Sequence, residues 1–458
     1  MLATLGEAMI DYSGLPDRRL GERLKRVVDS FISQPGASIP QASGSVEAAK
    51  ATYRFFDNKR VTHKALIGAQ AAATWNRVKK EKPALVIVAQ DTTSLDYSSH
   101  KQTSGLGLLE SEYSRGLFMH TELLSSEQGV PWGLVGQQLW TRPVEALGKR
   151  HSRKERAIED KESSKWLNGL PKIPETVSAA GTKVVMVSDR ESDVYELLQA
   201  CNNRPDLDGV IRVSWDRALA NSQGQHLFEM VHNQPQQHSY KLPVQGTAKR
   251  TEREALVEVR FTTVTLNPPS RPAGSPKLKP LTIGVVEVIE AQPPANEPAV
   301  HWLLYTTLPL HTVDDALTVI RYYTYRWLIE RFHFVLKSGC LVEERQLQSE
   351  PRLERLLAVF SLVAWSLLWL TYQARLTPNA PASVALTASE WQALSAYINH
   401  TTNPATEPTL HQAVRWIAQL GGFLGRRSDA EPGVKVLWRG WQRLQDITHT
   451  WQLFHPTS

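Results

Sequence analysis

Two short apolar runs constrain this chain more than any other feature. ALVIVA, residues 84–89, is unbroken by a polar side chain, and KVVMV, residues 183–187, repeats the design. Runs of this length without alternation read as strands buried on both faces. Each is followed by an acidic residue, Asp91 after the first and Asp189 after the second, the latter ahead of a helix expected to start near Ser192. An Asp after a strand also serves as a cap for the following turn, so capping and chemistry both stay open at these positions.

A chain of 458 residues is long enough for two or three domains. Its 41% hydrophobic and 21% charged content is that of an ordered globular protein. The net charge of +6 favours polyanionic partners mildly. Cys201 and Cys340 are too few and too far apart for a disulfide framework or a thiolate zinc site, which points to a reduced cytosolic compartment. The opening MLATLGEAMIDYSG has neither a basic start nor a long apolar run, so no signal peptide is expected. LLAVFSLVAWSLLWLTYQA, residues 356–374, is nearly long enough to cross a bilayer, but it holds two serines, a threonine and a glutamine. We read it as a buried core helix, with no membrane partner.

Around these elements the texture changes in blocks. Residues 1–80 carry helical patterns with a basic bias, interrupted at the turn-forming Asp57-Asn58. FMHTELLSSEQGVPWGLVGQQLW reads as a strand pair, and HSRKERAIEDKESSKWL, residues 151–167, as a charged helix. From about 210 to 310, segments such as ALVEVRFTTVTL and LTIGVVEVIEA alternate with Pro/Gly-rich loops, the pattern of a β insertion. Helical patterns return after Asp314-Asp315, and residues 386–454 form a last helical unit.

The stretch YYTYRWLIERFHFVLKSG, residues 322–339, is aromatic and apolar yet holds Arg326, Glu330 and Lys337. On a continuous helix Tyr323, Arg326, Glu330 and Lys337 share one stripe roughly 60° wide. Two strand-end aspartates and a helical glutamate supply the oxygen ligands that Mg²⁺ or Mn²⁺ prefers. A pair of such ions clamps the attacking and leaving oxygens of a phosphoryl displacement. Arg326 and Lys337 would then hold phosphates. In the plainer reading Glu330 pairs with Arg326 or Arg331, and Asp96, Glu191 and Asp193 are alternative carboxylates.

Tyr323, Arg326, Glu330 and Lys337 fit Y-x2-R-x3-E-x6-K. With QDTTSLDY, SDRESDVYELL, YRFFDN, QLGGFLGRR and LWRGWQRLQD, the chain resembles, over nearly its full length, the bacterial cut-and-paste DDE transposases of the insertion-sequence group that carries this signature. The resemblance implies an α/β, ribonuclease-H-like catalytic domain, a mixed sheet with flanking helices and a β insertion, spanning residues 71–375. It implies a helical DNA-binding domain over 1–70 and a helical dimerisation domain over 376–458. Asp91, Asp189 and Glu330 carry over as catalytic ligands of two Mg²⁺ ions, with Mn²⁺ able to substitute. Tyr323, Arg326 and Lys337 carry over as contacts to the transposon-end backbone. Trp302 carries over as the tryptophan that stacks on a flipped base, although a strand aromatic in HWLLYTTL also suits a core. Expected partners are the inverted repeats, target DNA and a second copy of the chain, through a contact that includes Trp438 and Trp441, in the bacterial cytoplasm at the nucleoid.

One position departs from the pattern. Phe334 stands where a relative has a lysine, so the phosphate that such a lysine would bind must be left unmet or be held by another residue. A non-catalytic DNA-binding inhibitor descended from such an enzyme and a structure-selective nuclease are the competing functions.

Overall fold

The computed structural model describes residues 10–11, 15, 17–143, 161–220, 224–244, 251–270, 277–426 and 429–455. Its strands are β1 (Leu85–Asp96), β2 (Gly107–Leu108), β3 (Arg115–Ser126), β4 (Pro131–Trp140), β5 (Lys183–Ser188), β6 (Leu207–Arg212), β7 (His238–Val244), β8 (Arg253–Leu266), β9 (Leu281–Glu290) and β10 (His301–Thr306). The helices of eight residues or more are α1 (Arg18–Ser33), α2 (Val46–Asp57), α3 (His63–Glu81), α4 (Tyr195–Asn202), α5 (Val313–Thr324), α6 (Trp327–Phe334), α7 (Glu350–Leu376), α8 (Ala388–Asn399), α9 (Leu410–Leu420) and α10 (Val434–Phe454). The chain packs as two compact units. One comprises residues 1–82, 92–145 and 328–458; the other comprises 83–91 and 146–327.

The second unit is built on β1 and β5. Val86, Ile87 and Val88 of β1 and Val184 to Val187 of β5 are fully buried, as unbroken apolar strands require. The first half of β1 pairs with β5 in parallel, and β5 pairs with β6 in parallel. The β-rich segment then extends this sheet: β10 runs antiparallel to β6, and β9, β8 and β7 follow outward as an antiparallel meander. The result is a mixed sheet. Of the charged segment 151–167, residues up to 160 lie outside the described ones; Ser164–Asn168 is a short helix. After Asp189 a 3₁₀ turn, Arg190–Ser192, intervenes, so the next helix starts at Tyr195.

The first unit is organised on α7. This is the one helix among the described residues long and apolar enough to cross a membrane, and 83% of its most apolar stretch is buried inside the protein. Its polar groups are answered by neighbours, which a lipid environment would not provide. The Ser361 hydroxyl accepts from Gln137 at 3.0 Å, the Trp365 indole N–H donates to the Pro131 carbonyl at 3.1 Å, and Ala358 O accepts from Gln70 at 2.7 Å. Phe360 packs on Phe31 of α1 with ring centroids 4.5 Å apart. The hairpin β3–β4 belongs to this unit, paired antiparallel as its sequence predicts.

The C-terminal helices α9 and α10 cross at glycine. A Cβ on Gly440 would lie 1.6 Å from the Ile417 carbonyl oxygen, and one on Gly421 would lie 1.8 Å from that of Val436. Those glycines sit in the QLGG and LWRGW segments, so the motifs have a packing cause. Trp441 does not serve as expected. It is fully buried within its own chain, and its indole N–H donates to the Ile32 carbonyl of α1 at 2.8 Å, so it is unavailable to line a contact with a second copy. Trp441→Ala should lower the unfolding free energy by about 3–5 kcal/mol. Urea denaturation checks this; an unchanged midpoint would show that the indole is not part of the core.

Candidate active site

The register of the parallel pair carries the site. Leu85 faces Lys183 and Ala89 faces Val187, an offset of 98 residues (183 − 85). Asp91 and Asp189 have the same offset (189 − 91 = 98) and lie two residues beyond the last registered pair. Neighbouring strands are about 4.8 Å apart, and in-register residues of a parallel pair project to the same face. Both aspartates are half-buried.

The segment after β5 is locally fixed. Asp189 Oδ1 accepts from the Glu191 N–H at 3.0 Å, so the capping role left open from the sequence is real. It engages one of the two carboxylate oxygens. The Ser192 hydroxyl donates to Asp189 O at 2.6 Å and lies 2.6 Å from that of Ser188. Asp193, buried to 4% exposure, locks this turn to the segment after β6. Its Oδ2 accepts from Ser214 N at 2.7 Å and Trp215 N at 2.9 Å, and its Oδ1 pairs with Arg217 at 2.5 Å. This assigns Asp193 a structural role. Glu191 is likewise engaged, 3.0 Å from Lys165.

Burial pushes Asp189 above the ordinary carboxylate range; the Glu191 N–H works against this, the Glu191 charge adds to it, and Arg326 and Lys165 pull it back. Burial thus disfavours its charged form. A hard divalent cation shared with Asp91 would offset that cost, and the oxygen donors suit Mg²⁺ or Mn²⁺. The described residues include no group of three or more His, Cys, Asp or Glu side chains placed to hold a metal ion. Glu330 belongs to the other unit, in the first turn of α6. The two aspartates share one register offset along adjacent strands, and the glutamate is carried by the other unit.

Three of the four expected DNA-contacting residues gather in the unit of the aspartates. The half-buried Trp302 on β10 meets Tyr323 edge to face at 5.4 Å, and the Arg326 guanidinium lies 5.7 Å from the Tyr323 ring and 5.3 Å from that of Trp327. Tyr323 and Arg326 are themselves buried, at 1% and 7% exposure. Arg212, which sequence reasoning missed, joins them. It donates to His301 O at 2.9 Å, and its pKa is lowered first by burial and further by the charges of Arg190 and Arg326, while Tyr323 raises it. Lys337, in the other unit, is 3.6 Å from Glu343, whose Oε1 also accepts from Asp96 N at 2.8 Å.

The single stripe expected over 323–337 does not form as one helix. α5 ends at Thr324, and the Tyr325 and Arg326 N–H groups bond to carbonyls three residues back, a 3₁₀ tightening. α6 then runs for eight residues into a π turn, Val335–Gly339. Each change of winding breaks the rotation of 100° per residue on which the stripe depended.

The fold is thus a mixed α/β architecture, a large mixed sheet with flanking helices, consistent with a ribonuclease-H-like core carrying helical ends. The ends match known families: residues 8–61 match the transposase DNA-binding family, and residues 362–451 match the transposase Tn5 dimerisation domain. These matches support a Tn5-like transposase that binds DNA and forms a homodimer. In the first segment Arg18, Arg19, Arg23 and Arg26 of α1 line one recess with Glu22.

The raised pKa of Asp189 means that its contribution favours folding at pH below the ordinary carboxylate range and is lost as pH rises through the raised value. Asp189→Asn keeps an acceptor for the Glu191 N–H and removes the charge. Without divalent metal it should melt at a higher temperature than the parent at neutral pH, with the difference shrinking on acidification. A lower melting temperature at neutral pH would contradict this account of the site.

Proposed function

We propose that the protein is a cut-and-paste DDE transposase. It would bind the terminal inverted repeats of its element, excise the element by metal-dependent hydrolysis and hairpin formation, and join the freed 3′ ends to target DNA. The reading is supported first by the equal register offset of Asp91 and Asp189 along adjacent parallel strands, with the matches at both ends of the chain beside it. Asp91 and Asp189, completed by Glu330, would hold two Mg²⁺ or Mn²⁺ ions. When bound, such ions supply Lewis-acid stabilisation of the attacking and leaving oxygens of an in-line phosphoryl displacement.

The remaining roles follow from the side chains. Arg326 and Arg212 neutralise phosphate oxygens beside the aspartates, with Tyr323 between them. Trp302, half-buried beside Tyr323, would be the ring on which an unstacked base rests. Lys337 contacts the transposon-end backbone from the other unit, exchanging Glu343 for phosphate. The basic recess on α1 supplies sequence-independent attraction, and the C-terminal segment pairs two chains so that each cuts one end.

Sequence flanking the gene should contain short inverted repeats, and a duplex bearing one of them is the natural substrate. Asp91→Asn should bind that duplex as the parent does and fail to cut it in Mg²⁺. Undiminished cutting by the variant would refute the assignment. Binding should weaken steeply with salt, with log K falling about 0.9 per log unit of salt for each phosphate neutralised. A flat dependence measured by fluorescence anisotropy would remove DNA from the account.

A further inference from the structure

Phe334 lies one turn beyond Glu330 on α6, where a lysine would have offered a cation to phosphate. It is 41% exposed, and its ring is not idle. It meets Trp438 of α10 with centroids 5.4 Å apart and planes tilted by 52°. The same indole rests on the end of the π turn: a Cβ on Gly339 would stand 3.0 Å from its Cε3 atom, tighter than ordinary contact. Trp438 thus meets the side chain at the end of the helix of Glu330 and the backbone at the end of the π turn that follows it.

A helix of eight residues, begun at a 3₁₀ break and ended by a π turn, has little stability of its own. Its position is set by what packs on it. From these contacts we infer that Phe334 and Trp438 form an aromatic strut that fixes α6, making both positioning residues for Glu330. The inference rests on the reading of Glu330 as a catalytic carboxylate. Phe334 gives this support in place of a cation, and Trp438 lies within 362–451, the segment that matches the dimerisation domain. The segment that pairs two chains and the helix that carries the glutamate therefore share one contact.

The test uses the full chain, a supercoiled plasmid carrying the gene with its native flanks, and a titration of Mn²⁺. Phe334→Lys removes the ring and offers phosphate a cation. Phe334→Tyr keeps the ring, and Trp438→Ala removes the other half of the strut. A displaced catalytic group costs roughly 10- to 100-fold in rate. Phe334→Lys and Trp438→Ala should lose that much cleavage at saturating DNA, with DNA affinity not reduced and half-maximal cleavage moved to higher Mn²⁺. Phe334→Tyr should cleave as the parent does. Melting temperatures of all three variants identify any loss due to unfolding, and if Trp438→Ala melts early the Lys and Tyr pair decides. Parental cleavage and metal dependence in Phe334→Lys, or a loss that follows DNA affinity or the folded fraction, would overturn the strut while leaving the transposase reading intact. No cleavage by the parent protein would overturn both.

Discussion

The parallel pairing of β1 with β5 is the constraint on which the rest depends. Both strands are buried on both faces, so their register is held by apolar packing from Val86 and Val184 onward. A slip of one residue would move each side chain of a strand to the opposite face. Asp91 and Asp189 lie just beyond this region. No contact between the two carboxylates is needed to align them, and none would be stable unless a cation or proton offset their repulsion.

The surrounding charges suit that need. Asp189 is held above its ordinary range by burial, while Arg326 and Lys165 draw it down. Burial lowers the pKa of the Arg212 guanidinium, and the charges of Arg190 and Arg326 lower it further. The Asp193–Arg217 pair and its backbone bonds hold the intervening turns.

Much of this was legible in the sequence because the signals were local. Unbroken apolar runs marked β1 and β5, a turn between two apolar segments marked the β3–β4 hairpin, and polar residues within an apolar stretch marked α7 as a core helix. What was not legible came from tertiary packing. The 3₁₀ break at Tyr325–Arg326 and the π turn at Val335–Gly339 interrupt a segment whose residues all suit an α-helix. The burial of Trp441 depends on a carbonyl 409 residues away. Arg212 carries no motif, and Phe334 could be read only as a missing lysine until its partner Trp438 was located.

The central claim is that Asp91, Asp189 and Glu330 act on shared divalent ions, and iron-directed cleavage of the polypeptide tests it most directly. Fe²⁺ substituted for Mg²⁺ in the DNA-bound protein, with ascorbate and peroxide, cuts the backbone close to where the ion sits. The account predicts fragments ending near residues 91, 189 and 330, all suppressed by excess Mg²⁺. Cuts near the first two without the third, or cuts elsewhere that Mg²⁺ suppresses, would contradict it.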